Sequence, residues 1–332
     1  MKAIIPVAGA GTKLRPHTYT QPKALIPLAG KTILSILIDQ LAEAGVQEFI
    51  FIIGYMGDKI QDFVREKYPH LQTHFVQQNE RHGIGHAIWL TRDLIRHDEI
   101  IIVLGDSICE YDVKAVLENP ESLLGVKRVD DPRDFGVAEI NDDGQITRVV
   151  EKPQIPKSNM ALVGIYKIRE TGVMLECLED NIRQNHTSYG EYNLTDALEC
   201  MISRGAVLRS FKVLNWFDCG KKETLLESNA TLLRKMGQSI AEDHQFENTI
   251  IVPPVSIAKG CDIANSIIGP NVAIGESVTI TDSIIKDSII GAFSDLKDIV
   301  LTRSLIGTDA GVRGESRSLN IGDNTEIDLG RR

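Results

Sequence analysis

Apolar and polar positions in the first half of the chain alternate between two periods. Residues 2–7 form a short apolar run after one lysine, the pattern of a buried strand. Residues 48–53 (Glu-Phe-Ile-Phe-Ile-Ile), 73–76 and 99–104 repeat it. Between these runs, residues 32–44 carry Ile33, Leu34, Leu37, Leu41 and Ala44 on one helical stripe that stops at Gly45. Residues 58–68 read as a second helix, ended by Pro69, and 86–96 as a third. Strand and helix in alternation at this spacing predict an α/β domain with a Rossmann-like, mixed but mostly parallel sheet and helices on both faces. Ligands of such sheets bind beyond the carboxyl ends of the strands, where the loop after Val7 and Asp106 both fall. Further on, Asp142-Asp143-Gly144 is a hairpin signal, and residues 221–236 read as a helix that ends at Gly237.

From Ile250 the period changes. Ile251, Ile257 and Ile263 recur every six residues, as do Ile268, Ile274 and Ile280, with a one-residue slip between the sets. Ile285, Ile290, Leu296, Leu301, Ile306, Val312, Ile321 and Ile327 continue less regularly. A hexapeptide period predicts a parallel β-helix, in which each rung buries its apolar residues against the next. Short ordinary strands would carry no fixed period. The change divides the chain into a domain over 1–236, a linker over 237–249 and a repeat domain over 250–332.

Composition narrows the partners. The 36 Lys and Arg against 46 Asp and Glu give a net charge of −10, which argues against nucleic acid or an anionic membrane. A phosphorylated ligand would need cations gathered locally, and Lys13, Arg15 and Lys23 cluster around one loop. The five cysteines (Cys109, Cys177, Cys200, Cys219, Cys261) are odd in number and lack Cys-x-x-Cys pairing, so they read as reduced thiols rather than a disulfide framework or zinc site. With no apolar run of about 18 residues and no signal-peptide pattern, the expectation is a soluble, cytoplasmic protein.

The loop itself, Val7-Ala8-Gly9-Ala10-Gly11-Thr12-Lys13-Leu14-Arg15-Pro16, has small residues that let backbone come close to a ligand. Backbone N–H groups beside cations make a concave anion site, although two glycines alone describe an ordinary strand-to-helix turn equally well. Neither common phosphate loop fits. There is no Gly-x-x-x-x-Gly-Lys-Ser/Thr, and Leu14 stands where the dinucleotide pattern has its third glycine.

Gly9, Gly11, Thr12, Leu14, Pro16 and Thr18, followed by Pro22-Lys23, Pro27 and Gly30-Lys31, resemble the signature of the sugar-phosphate nucleotidyltransferases, or nucleoside-diphosphate-sugar pyrophosphorylases. One position departs: the family's arginine after Gly-Thr is Lys13, which keeps the charge but loses the planar fork, with Arg15 close by. The resemblance implies nucleotide binding by Ala8, Gly9, Gly11 and Thr12, and charge stabilisation by Lys13, Arg15 and Lys23. It implies Mg²⁺ on Asp106 of Leu104-Gly105-Asp106 and on Asp218 of Trp216-Phe217-Asp218-Cys219-Gly220. A lone Asp after a strand is otherwise a cap or turn former. Gln78 and Gly83, before Ile84-Gly85-His86-Ala87, match the base-recognition segment, where an amide can both donate and accept. His86 opens a helix and reads as a structural hydrogen-bonding residue.

On the sugar side the resemblance implies Gly136, Glu151, Lys152 and Gly164, from Phe135-Gly136-Val137, Glu151-Lys152-Pro153 and Val163-Gly164-Ile165-Tyr166. A carboxylate can accept from hydroxyls and an ammonium can hold a phosphate; without its neighbours, Glu151-Lys152 is an ordinary solvated pair. Asn193-Leu194-Thr195-Asp196 replaces the family's Glu-Ile-Thr-Asp, which leaves the sugar open. With the repeat tail, the chain looks most like the long form of the glucose-1-phosphate thymidylyltransferases. That implies a left-handed parallel β-helix, assembly into a homo-oligomer through it, and Mg²⁺-dependent transfer from an NTP, dTTP first, to a sugar 1-phosphate, glucose 1-phosphate first. A GTP:mannose-1-phosphate or UTP-using relative, and a non-catalytic sugar-nucleotide-binding subunit, remain alternatives. A hexapeptide acyltransferase is weakened because all eight histidines lie at or before His244.

Overall fold

The computed structural model describes residues 1–242 and 245–314; His244 in the predicted linker, and Ile321 and Ile327 in the tail, lie outside the described residues. The chain divides into two compact units, Met1–Ser228 and residue 229 onward, so the boundary falls within the helix Lys222–Met236.

The first unit is built on a nine-stranded mixed sheet. Its main path runs Ile146–Glu151, Gly136–Ile140, Met160–Ile168, Ile100–Val103, Lys2–Pro6, Glu48–Ile53, Gln72–Gln77. Ser122–Arg128 pairs with Met160–Ile168 and carries Leu208–Lys212 on its other side. The last four strands of the main path are parallel, as the alternation predicts. Met160–Ile168 runs antiparallel to Ile100–Val103 and makes the sheet mixed. The inner strands read as unbroken apolar runs because they are covered on both faces: Ile4, Ile5, Ile50, Phe51, Ile101 and Ile102 are all fully buried.

Local chemistry sets the ends of the helices. Thr32 and Ser35 form a reciprocal capping box at the start of Ile33–Glu43. The predicted helix 86–96 is two shorter ones, Ile84–Trp89 and Arg92–Ile95. Between them the Thr91 hydroxyl donates to the Ile88 carbonyl at 2.6 Å, a local bond that competes with the helical ladder. The expectation of five reduced thiols is corrected. Cys177 and Cys200 form a disulfide between helices Thr171–Arg183 and Leu194–Ser203, with their Cα atoms 5.9 Å apart. The two meet only because the helices pack, so no local spacing marks them. Cys109, Cys219 and Cys261 are free and buried. No described helix is long and apolar enough to cross a membrane.

The second unit is a stack of short parallel strands in three sheets, consistent with the left-handed β-helix. Register gives the rung length. Val255 lies beside Val272, a step of 17 residues, whereas Ile289 lies beside Leu305, a step of 16. Each rung is therefore one or two residues short of three full hexapeptides, and the slip in the sequence is where a side is shortened. Ile257, Ile263, Ile268, Ile274, Ile280, Ile285, Ile290 and Leu296 fill its interior. Asn248, Asn265, Asp282 and Asp298 stack at one corner with φ of 45–55°, a conformation that Asn and Asp adopt more readily than most residues.

Candidate active site

The site grows from the tips of two adjacent parallel strands. Beyond Lys2–Pro6 the chain turns through Gly9 and Gly11, and the buried Leu14 anchors the short turn Thr12–Leu14. Gly11 has φ 59°, and its carbonyl accepts from the Thr18 hydroxyl at 2.8 Å. A Cβ at Gly11 would lie 2.9 Å from both Lys23 Cβ and Thr18 Cγ2. The missing side chain is therefore what allows the Lys23 stem to pack under the loop. At Gly9 a Cβ would meet nothing within 4 Å, so that position faces open space.

The neighbouring strand Ile100–Val103 leads through Leu104 and Gly105 to Asp106. A Cβ at Gly105 would approach the Pro6 carbonyl oxygen to 2.8 Å and strike the Val7 side chain, so glycine lets the two tips close on each other. Next comes a two-stranded ribbon in which Ser107–Glu110 pairs antiparallel with Asn215–Asp218. Its register sets Asp218 opposite Ser107, so Asp106 and Asp218, remote in sequence, stand at the same end. The Cys219 amide donates to the Asp106 carbonyl at 3.2 Å, and Asp218 Oδ1 accepts from the Gly220 amide at 2.8 Å. Lys23 Nζ lies 3.5 Å from Asp106 Oδ2. The Asp106 side chain is 59% exposed, so this pair contributes little to stability and leaves the carboxylate accessible.

These groups open on a cleft of about 590 Å³. Of the residues predicted from sequence, Ala8, Gly9, Gly11, Thr12, Lys13 and Lys23 line it on the loop side. Gln78, Gly83, Asp106, Lys152 and Asp218 line the remainder. Gln78 is nearly buried, and its side-chain amide donates to the Gly83 carbonyl at 3.2 Å, closing the loop before Ile84–Trp89. Gly83 has φ 100°, and a Cβ there would lie 2.6 Å from the Tyr192 carbonyl oxygen. Tyr192 joins two walls of the cleft, because its amide donates to the His82 carbonyl at 2.8 Å and its carbonyl accepts from the Gly85 amide at 2.7 Å.

Four predicted residues lie off the lining. Arg15 is exposed and stacks over Tyr19 at 4.9 Å. Glu151 stands beside Lys152, with Oε2 accepting from the Thr195 hydroxyl at 2.8 Å. Gly136 packs against both, since a Cβ there would lie 2.7 Å from Thr195 Cγ2 and 3.3 Å from Glu151 Oε2. Gly164 sits behind the lining residue Leu104, and a Cβ would meet that side chain at 2.7 Å.

The expected hydrogen bonding of His86 is corrected at one nitrogen: its Nδ1 is buried and has no partner among the described residues. Aromatic packing holds the ring instead, against His82 at 5.2 Å and Trp89 at 6.2 Å. Burial, and then the neighbouring His82, hold its pKa below the ordinary imidazole value, with Glu80 opposing.

Sequence reasoning gave no role to three polar residues of the lining: Arg81, Glu191 and Asn193. Arg81 lies inside the segment read for base contact, and the other two lie in the segment whose match to the motif was imperfect. Among the described residues no group of three or more His, Cys, Asp or Glu could hold a metal ion. A cation here would rest on the two aspartates and on oxygens from outside the protein.

Known proteins share this arrangement of sequence and fold. Residues 2–235 match the family described as nucleotidyl transferase. The chain is 33% identical over 242 residues to the low-salt glycan biosynthesis nucleotidyltransferase Agl11 of Haloferax volcanii, across 70% of this chain and 66% of that protein's length, just under two thirds. It is 28% identical over 349 residues to a glucose-1-phosphate thymidylyltransferase of Streptomyces antibioticus, across 98% of this chain and 93% of the relative. Among solved structures, a UDP-glucose pyrophosphorylase complexed with UDP-glucose superposes with a TM-score of 0.60 at 25% identity, over 70% of this chain and 98% of that one. With a family match across most of its length and most of the motif residues lining one cleft, the chain belongs to the nucleotidyl transferase family.

Proposed function

We propose that this protein transfers a nucleotidyl group from a nucleoside triphosphate to a sugar 1-phosphate and releases pyrophosphate, with dTTP and glucose 1-phosphate as the preferred pair. The observation that carries the reading is the ribbon register that sets Asp218 opposite Ser107 and so at the same end as Asp106, whose carboxylate lies 3.5 Å from the Lys23 ammonium, in a cleft lined also by the glycine loop. Two hard carboxylates, with no cluster of three or more His, Cys, Asp or Glu among the described residues, suit Mg²⁺, which keeps water and takes phosphate oxygens. Asp106 and Asp218 would hold that ion, which when bound would supply charge neutralisation at the phosphates.

The chain's own groups do the rest. Backbone at Ala8, Gly9, Gly11 and Thr12 cradles the triphosphate, and Gln78 with Gly83 faces the base. Lys13, Arg15 and Lys23 stabilise charge on the transferring phosphate. Lys152 holds the sugar phosphate, with Glu151, Gly136 and Gly164 shaping the sugar side. No covalent nucleophile is required: a phosphate oxygen of the sugar 1-phosphate attacks the α-phosphate in line, and catalysis comes from positioning. The thymidylyltransferase relative spans the repeat tail as well as the catalytic region, which supports the choice of dTTP. The UDP-glucose complex supports glucose as the sugar. The repeat tail supports a homo-oligomer.

The test is pyrophosphate release with Mg²⁺ across dTTP, UTP, GTP, ATP and CTP, each with glucose-, mannose- and N-acetylglucosamine 1-phosphate. Release with dTTP and glucose 1-phosphate is the expected result. Silence across the panel, in protein that still binds nucleotide, overturns the reading in favour of a non-catalytic sugar-nucleotide-binding subunit and points to Lys13.

A further inference from the structure

Lys152 directly follows the strand Ile146–Glu151 and has φ 40°. A non-glycine residue rarely occupies this region, and the Pro153 ring restricts the residue before it further. Such a conformation persists only where its surroundings hold it. The Lys152 amide donates to the Phe135 carbonyl at 3.0 Å, which fixes one side of the residue. On the other side its carbonyl accepts from the Tyr189 hydroxyl at 2.6 Å. The Lys152 ammonium lies 5.9 Å from the centroid of the same tyrosine ring, within cation–π range, and 3.7 Å from Glu151 Oε1.

Burial does not account for the tyrosine. Tyr189 is 64% exposed and is itself left-handed, with φ 57°. A solvated aromatic residue in a disfavoured backbone conformation has its hydroxyl and its ring both engaged by one lysine. Two residues further on, Glu191 lines the cleft with Lys152, so the tyrosine also ties two lining segments together.

We propose that Tyr189 is a positioning residue for Lys152: its hydroxyl locks the left-handed backbone, and its ring face fixes where the ammonium rests. The inference depends on the reading that Lys152 holds the phosphate of a sugar 1-phosphate. Tyr189→Phe removes the hydroxyl and keeps the ring, and the exposure of the site leaves folding intact. Glucose 1-phosphate is titrated calorimetrically into the wild type, Tyr189→Phe, Lys152→Ala and the double variant, and the KM values for sugar phosphate and NTP are measured separately.

Tyr189→Phe should weaken glucose 1-phosphate binding about three- to tenfold, the loss expected for one hydrogen bond. Its NTP KM should stay unchanged, and the double variant should bind no more weakly than Lys152→Ala, because the tyrosine acts through the lysine. Wild-type affinity in Tyr189→Phe beside a weakened Lys152→Ala overturns the positioning role alone. So do losses that simply add in the double variant. A wild type that binds glucose 1-phosphate neither alone nor with nucleotide overturns the functional reading, and this inference with it.

Discussion

Two glycines, two residues apart in the same loop, separate ligand approach from fold. In Gly11→Ala the new residue must keep φ 59°, which costs an L-residue about 1–2 kcal/mol. Its methyl would also sit 2.9 Å from Thr18 Cγ2 and from Lys23 Cβ. Thr18 is 1% exposed and has no room to retreat, so the Lys23 stem must move. At about 2–4 °C per kcal/mol for a domain of this size, the melting temperature should fall by about 2–8 °C. Gly9→Ala meets no atom within 4 Å and is outside the left-handed region, so its melting temperature should hold or rise slightly. The methyl projects instead into the cleft, where the proposed function puts the triphosphate, and a misplacement of about 1 Å can cost about a hundredfold in rate. The assay pairs thermal melts with kcat/KM for pyrophosphate release. Near-normal turnover in Gly9→Ala would refute the claim that ligand comes close to this backbone. A clear loss of stability in the same variant would refute the packing argument.

The remaining predictions address single groups. Asp106→Ala or Lys23→Ala should lower turnover by at least about a hundredfold, since one preorganised charge-stabilising group is worth about 2.7–4 kcal/mol in the transition state; the exposed Asp106 should barely move the melt, whereas Lys23→Ala should also lower it through the lost packing of its stem, and near-normal kcat in either variant removes that residue from the machinery. Reducing the Cys177–Cys200 disulfide, or Cys200→Ser, should cost about 3 kcal/mol in the chain-entropy model for a 23-residue separation. Coincident melts with and without reductant would show that the bridge contributes nothing. For His86 the folded pKa lies below the ordinary 6.5, so the stability it contributes is present above 6.5 and lost as pH falls through the folded value. His86→Phe should therefore lose less melting temperature than the wild type between about pH 7.5 and 5.5; an equal drop in both proteins would assign the acid sensitivity elsewhere.

What could be read from the chain follows how locally each feature is encoded. The central strands are legible because burial on both faces leaves them apolar at every position, as in Ile100–Val103. The β-helix is legible because each rung repeats the last, but its true rung of 17 and then 16 residues shows in the sequence only as slips of the hexapeptide. The glycine loop is contiguous and could be read directly. That Asp106 and Asp218 share one end depends on an antiparallel register between distant segments, which no local period encodes. The Cys177–Cys200 bridge is hidden for the same reason, since it depends on two helices packing. Arg81, Glu191 and Asn193 are polar residues on connecting segments, where neither periodicity nor turn chemistry distinguishes a cleft-facing side chain from a solvated one.

The two halves of the site are also held with different firmness, and this bears on specificity. Asp106 follows a buried strand whose tip is locked to Lys2–Pro6 through Gly105, where any side chain would strike the Pro6 carbonyl and the Val7 side chain. Lys23 is packed beneath Gly11 by contacts that admit no added atom. Groups fixed this way can act by position alone, which in-line transfer requires. Glu191, Asn193 and Lys152 instead stand on connecting segments kept in place by a few hydrogen bonds, among them those of Tyr189 and Tyr192. Changes there cost little core packing, so under the proposed function the choice of sugar would be altered without disturbing the groups that hold the phosphates. The proposed sugar side is accordingly where this chain departs from the motif, at Asn193.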